Sequence, residues 1–268
     1  MHVPTAFGLR RVSLLACLLA PALLGAQSPE QPAPEWSSLL FGTFQLRTDS
    51  AARASTGGKP FNRFDMGRAY LTFRAPAGDR ASIRITTDIF QNSSDGFYDG
   101  WAIRLKYGIL QYDFTRNLAG VEGLAAVARI GMLHTVAIEH VETFWPRWLG
   151  NTALELNGFF SSSDVGAASL LTLPGRRGEV YLTVTNGGGY TSPERDRFKD
   201  VAAHFTWRPF AGDSGFFSTL AISPWYYKGW NGSAFAAGGA GQVGPVTAGL
   251  QKDRRGIFAG VRDRRFTI

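Results

Sequence analysis

The chain has 268 residues, 32 glycines, 13% aromatic residues, a single cysteine and a formal net charge of +7. One cysteine excludes an internal disulfide framework, and no apolar run reaches the roughly 20 residues a spanning helix needs. Arginine outnumbers lysine, a bias that fits either a GC-rich genome or anion handling through forked guanidinium donors.

Residues 1–26 read as a secretory signal peptide. Arg10 and Arg11 give its basic start, 12–24 its apolar run, and Leu-Leu-Gly-Ala its small-residue end. Cys17 lies inside this segment, where cleavage as a lipoprotein would leave too short an apolar run. A Pro-rich lead-in, 27–38, is expected to be flexible.

A first strand is predicted over 39–48, followed by a polar connection to residue 65. From 64 to 114 apolar and polar residues then change places at every step through three segments. Ala69, Leu71, Phe73, Ile83, Ile85, Ile89, Trp101, Ile103, Leu105, Tyr107 and Ile109 occupy one phase. Arg68, Tyr70, Thr72, Arg74, Ser82, Arg84, Thr86, Asp88, Arg104, Lys106 and Tyr112 occupy the other. A period of two means extended strands with one apolar face. Arginines that share the opposite face need water there, and a transmembrane barrel with lipid outside and a wet lumen inside supplies it.

Further strands are predicted over 125–134, 165–173, 179–186, 200–208 and 216–225. Beyond them, 233–242, 246–252 and 256–262 complete a count of 11 to 12. Short turns and long loops alternate only if 135–163 is one loop, the third on the outer side, folded inward as a constriction. Its expected lining is Glu139, His140, Glu142, Trp145, Arg147 and Trp148, with Phe144, Trp145 and Trp148 forming a small core of their own. Trp101 and Trp225 at one end, and Tyr112, Phe114 and Trp207 at the other, suit interfacial aromatic girdles. The reading is therefore an all-β, antiparallel, up-and-down transmembrane β-barrel over 39–268, and the end at RDRRFTI, without a terminal aromatic, predicts an incomplete larger barrel.

On the inward faces Arg68, Arg74, Arg84, Arg104, Lys106 and Arg129 stand against Asp88 alone within the first five strands. Basic rings are how pores favour anions, with Glu139 and Glu142 partly cancelling the field. No catalytic residues, cofactor or metal ligands are expected. Gly239-Ala-Gly241-Gln-Val-Gly244 matches a dinucleotide fingerprint only in letters, since Pro245 follows it. His134, Glu139, His140 and Glu142 depart from metal-motif spacing, and His204 lacks a matching serine and carboxylate order.

The runs RAYLTFRAPAGDRASIRITTDIF, RIGMLHTVAIEH and VYLTVTNGGGY resemble the phosphate-selective porins, the O and P type family, over about 39–230. The resemblance implies a large outer-membrane barrel, often trimeric, that passes small anions such as phosphate. Its expected partners are outer-membrane lipid and those anions, with no nucleic acid. Two other classes fit some of the same features: a small closed outer-membrane barrel with a structural or enzymatic role, and a secreted β-sandwich that binds carbohydrate through tryptophans.

Overall fold

In a computed structural model, residues 33–92, 100–115, 121–192, 194, 197–231, 250–263 and 267 are described. The expected leader 1–26, the strand at 233–242, most of that at 246–252 and the glycine fingerprint lie outside them. Ten strands form one antiparallel sheet in which sequence neighbours pair. They are β1 (Glu35–Arg47), β2 (Phe61–Pro76), β3 (Ala81–Asn92), β4 (Gly100–Asp113) and β5 (Ala125–His134). The order continues through β6 (Ser163–Thr172), β7 (Gly178–Thr185), β8 (Asp200–Trp207) and β9 (Ala221–Lys228). Two short strands, β10 (Trp230–Asn231) and β11 (Leu250–Gln251), pair with each other and lengthen the hairpin that β9 makes with β12 (Arg254–Gly260).

Several elements depart from the sequence-based boundaries: the polar connection predicted to residue 65 holds helix α1 (Ser50–Ser55) and the start of β2 at Phe61. β1 starts four residues early because Glu35 to Ser38 pair with Arg74 to Leu71, so part of the predicted lead-in is strand. β9 starts late because Phe216–Thr219 closes a 3-10 turn, with the Ser218 amide donating to the Gly215 carbonyl. β12 pairs directly with β9, so no strand intervenes between them in the sheet.

Connections fall into two sets at opposite ends of the strands. One end carries 77–80, 114–124, 173–177 and 208–220; the other carries 48–60, 93–99, 135–162, 186–199 and 229–253. Residues 135–162 do not extend away from their end but fold back onto one face of the sheet. Ala137, at φ 66°, bends the chain immediately after β5. Helix α2 (Ile138–Val141) then buries Ile138, His140 and Val141. Val136, Ile138 and Phe160 pack with Ala202 of β8 and Tyr227 of β9.

This loop shows that the sheet is rolled. Glu142 and Arg147 share a cavity with Ser37 of β1 and Thr72 of β2, whereas Phe144 lies 5.3 Å from Phe258 of β12. In a flat sheet β1 and β12 would stand roughly 40 Å apart at about 4.8 Å per strand. A loop segment of a few residues spans only about 10 to 20 Å. Among the described residues, however, β1 and β12 do not pair, so the ring is not closed.

The two faces differ in polarity, although the covered one also buries the apolar clusters around Leu133 and Ile138. On the face the loop covers, Tyr70, Thr72, Thr86, Asp88, Lys106, Thr183, Asp200, His204 and Thr206 are buried. On the bare face Leu71, Ile85, Leu105, Leu182, Val184, Val201 and Phe205 are exposed, and Ile103 and Ile257 reach 69% and 74%.

The alternation slips twice in the stretch that revealed it: Phe41 pairs with Arg68 but Gly42 with Met66, so Gly67 is an extra residue in β2 and Phe64 and Met66 turn to the exposed face, and a second slip follows in β4. Thr86 pairs with Tyr107 but Thr87 with Leu105, so Lys106 is an extra residue in β4. A bulge of this kind re-aims the following side chains. Tyr107 and Ile109 are therefore buried on the covered face and Tyr112 is exposed on the bare one, the reverse of their predicted phases, with Leu110 exposed beside it. Trp225 is likewise corrected: it turns inward against Phe160 at 5.2 Å, and its neighbour Tyr226 takes the exposed position.

Gly131 of β5 lies against β4 at φ 119°, and a Cβ there would meet the Gly108 carbonyl oxygen at 2.0 Å. Gly131→Ala should cost about 2 kcal/mol through strain and the forced separation of the strands, read as a lowered midpoint in denaturant unfolding.

Candidate functional site

The covered face carries the charged residues that the sequence singled out, and the register explains why they meet. Asp88 of β3 pairs with Arg104 of β4 and with Tyr70 of β2, which brings both flanking arginines within reach. Arg104 lies 2.9 Å and Arg68 3.2 Å from the fully buried Asp88 carboxylate. Lys106, on the same face, donates to the Tyr70 hydroxyl at 2.9 Å and lies 4.1 Å from that ring's centre. Arg104 also donates to the Tyr190 hydroxyl at 3.1 Å.

A second group faces a cavity of about 530 Å³ near the turn at 77–80, lined in part by Glu35, Arg74, Arg84, Arg129, His134 and Glu139. Arg129 donates to Gln111 at 2.9 Å and pairs with Glu139 at 3.0 Å. Arg84 lies 3.2 Å from His134 Nε2 and 4.7 Å from the Tyr107 ring centre. A guanidinium can only donate. His134 Nε2 therefore accepts, and its proton sits on Nδ1, 3.3 Å from Glu139. Among the described residues no carboxylate lies within ion-pair distance of Arg74 or Arg84, although the same lining holds Glu35, Asp79 and Glu139 beside the three arginines.

The third group holds the loop. Thr152 caps helix α3 (Ala153–Leu156), and Glu155 reaches back to the Thr152 amide at 3.0 Å, a complete capping box. Arg147 pairs with Glu155 and, at 3.0 Å, with Glu142. Burial alone would raise all three loop carboxyls. For Glu139 that is outweighed by His134, Arg129 and Arg84, and for Glu155 by Arg147 and the Thr152 cap, so both are lowered from the ordinary value of 4.5. For Glu142 burial prevails over Arg147 and Lys106, and its carboxyl is raised.

All six wall cations named from the sequence thus share the covered face, and five of them are engaged with specific partners. Of the two loop acids expected to cancel part of their field, Glu139 pairs with Arg129, and Glu35, which lies before the predicted first strand, adds a carboxylate to the cavity at Arg74. Phe144 and Trp145 do not form an independent loop core. Phe144 packs on His140 and Phe258, while Trp145 stays 40% exposed with its indole N–H donating to the Gly150 carbonyl. The side chain of Trp148 lies outside the description.

Several partners were missed. Thr152 and Glu155 carry the readable T-x-x-E signature of a capping box. Glu179, which meets Arg208 at 3.1 Å, and Asp200, which meets Lys252 at 2.7 Å and the Tyr227 hydroxyl, have no local signal. The chain matches no family model, no curated protein and no solved structure.

The loop carboxyls titrate with opposite consequences. Glu155, lowered on folding, contributes stability that is present above pH 4.5 and lost as the pH falls through its folded value. Glu142, raised, favours the folded state below 4.5 and loses that contribution as the pH rises from 4.5 through its folded value. At pH 7, Glu155→Gln should destabilise by about 2 kcal/mol. Glu142→Gln should leave stability unchanged or raise it by up to about 1 kcal/mol, since Arg147 keeps Glu155. Denaturant titration of both variants at pH 4 and pH 7 checks the sign of each.

Proposed function

We propose that this sheet is the wall of an outer-membrane porin, a water-filled, anion-preferring channel for small solutes such as phosphate, with no catalytic role. The observation that carries the reading is the contrast in polarity between the two faces. A rolled sheet with buried lysine and aspartate and partly exposed arginines on one side, and exposed leucine, isoleucine and valine on the other, suits lipid outside and water inside. In water the same exterior would leave a large apolar surface uncovered. Strand length agrees: β1 to β6 have 10 to 16 residues each, against about 9 to 11 for a tilted crossing. The resemblance to the phosphate-selective porins supports the same class. Closure of the ring and trimeric assembly belong to this proposal. In a secreted β-sandwich the apolar faces would pack against each other, so the bare apolar face favours the barrel.

Selectivity in this reading does not come from all six wall cations. Arg68 and Arg104 are neutralised at Asp88, and Arg129 is matched by Glu139. Arg74 and Arg84, which have no carboxylate within ion-pair distance among the described residues, are the cations left to attract an anion at the cavity near the turn, against Glu35, Asp79 and Glu139 of the same lining. Loop 135–162, pinned across the wall, is the constriction.

The test is the reversal potential in a planar bilayer across a potassium chloride gradient. The wild-type protein should show an anion-selective potential. Arg74→Ala with Arg84→Ala should move it most of the way to zero, whereas Arg68→Ala should move it little, since it leaves Asp88 paired with Arg104. A cation-selective wild-type potential contradicts the proposed sign, and no conductance from folded protein contradicts the pore.

A further inference from the structure

Three side chains that play no part in this selectivity converge where the loop meets the wall. Among the described residues, His140, Glu179 and His204 form a group whose ligand atoms all lie within 4.8 Å of one another. His140 comes from α2, Glu179 from β7 and His204 from β8. Thr206 pairs with Glu179 and Tyr181 with His204, which makes Glu179 and His204 diagonal neighbours on the covered face.

The distances suit a shared cation better than hydrogen bonds. Glu179 Oε1 lies 3.5 Å from His140 Nδ1 and 3.4 Å from His204 Nε2. A charge-assisted hydrogen bond would be about 2.7–2.9 Å. Around tetrahedral zinc, bonds of about 2.0–2.1 Å place neighbouring ligand atoms about 3.4 Å apart.

The surrounding groups orient the three ligands. His140 Nε2 is 2.7 Å from the Ser223 hydroxyl, which is 2.9 Å from the Thr206 hydroxyl, and this contact turns Nδ1 toward Glu179. Outer partners of this kind fix a ligating imidazole. Arg208 donates to Glu179 Oε2 at 3.1 Å and leaves Oε1 for the histidines. His204 Nδ1 has no hydrogen-bond partner among the described residues, so Glu179 is the polar contact that commits its ring. Both imidazoles are buried, while the Glu179 side chain keeps 19% exposure, an approach for an ion and for a fourth, solvent ligand.

We propose that His140 Nδ1, Glu179 Oε1 and His204 Nε2 form a binding site for a divalent transition-metal ion of the zinc type. Two imidazoles and one carboxylate select zinc, cobalt or nickel over magnesium and calcium. The two imidazole nitrogens must draw together as the ion binds, and the Arg208 charge opposes a dication, so the site is one of moderate affinity. Occupied, it fastens the loop to β7 and β8. The site is independent of whether the sheet encloses a conducting pore.

The test uses the untagged, full chain, folded in detergent, stripped with a chelator and titrated with Co²⁺, whose visible absorption reports low-coordinate nitrogen and oxygen ligands. The expected result is one Co²⁺ per chain, displaced by one equivalent of Zn²⁺. His204→Gln and Glu179→Gln should each weaken binding by on the order of 100-fold, and Ser223→Ala by about 10-fold. Folded wild-type protein that takes up no Co²⁺ overturns the proposal without reference to any variant. Uptake unchanged in both His204→Gln and Glu179→Gln overturns it as well.

Discussion

Charge removed from water must be met by opposite charge or by hydrogen bonds, and this constraint organises the covered face. Breaking a buried ion pair by deleting one partner costs about 3–5 kcal/mol, because the remaining charge is stranded. Asp88, fully buried, sits between Arg68 and Arg104 on the two flanking strands, so three strands are tied by one carboxylate. The strands alone cannot satisfy Arg129 in the same way. Loop 135–162 supplies Glu139 to it, and closes its own charges through Arg147, Glu142 and Glu155.

That requirement accounts for the rolled form. A loop that must reach Arg129 on β5, Ser223 on β9 and Phe258 on β12 within a few residues draws the sheet around itself. Its apolar residues, Val136, Ile138 and Phe160, fill the gap against β8 and β9. Curvature therefore depends on polar pairing and apolar packing made by the same segment. The bulge at Lys106 adds to this by placing Lys106 and Tyr107 side by side on the inner surface, where Tyr70 receives the ammonium.

Much of the fold was legible in the sequence because a period of two is a local property. Alternation through Arg68 to Arg74, Ser82 to Asp88 and Trp101 to Leu105 identifies both the strands and the face each residue takes. It fails at Tyr107, Ile109 and Tyr112, since one extra residue in β4 inverts the phase and nothing in the composition of 100–113 marks it. Strand order follows from the alternation of connections, and so does treating 135–163 as one segment. The start of β9 was misread because Phe216 and Phe217 look like strand residues but serve a tight turn.

The site was legible only in part. Six wall cations could be assigned to one face, yet their partners lie far along the chain. Arg84 meets His134 and Glu179 meets Arg208, and no spacing rule links positions so distant. His140, Glu179 and His204 become one group only after the loop folds back. The Thr152 to Glu155 capping box was readable from its spacing and identifies a short helix inside the segment read as one loop.

The central claim is that the apolar face meets lipid and the charged face meets water, with the change of phase at Lys106. Its most direct measurement places single cysteines along β4 in a Cys17→Ser background, labels each with an environment-sensitive fluorophore in lipid vesicles, and compares quenching by lipid-borne and water-soluble agents. Labels at Ile103, Leu105 and Leu110 should respond to the lipid-borne quencher, that at the partly exposed Arg104 to the soluble one, and those at the buried Tyr107 and Ile109 should be shielded from the lipid-borne quencher. Labels at Ile103 and Leu105 that respond only to the soluble quencher, or to neither, would contradict the account.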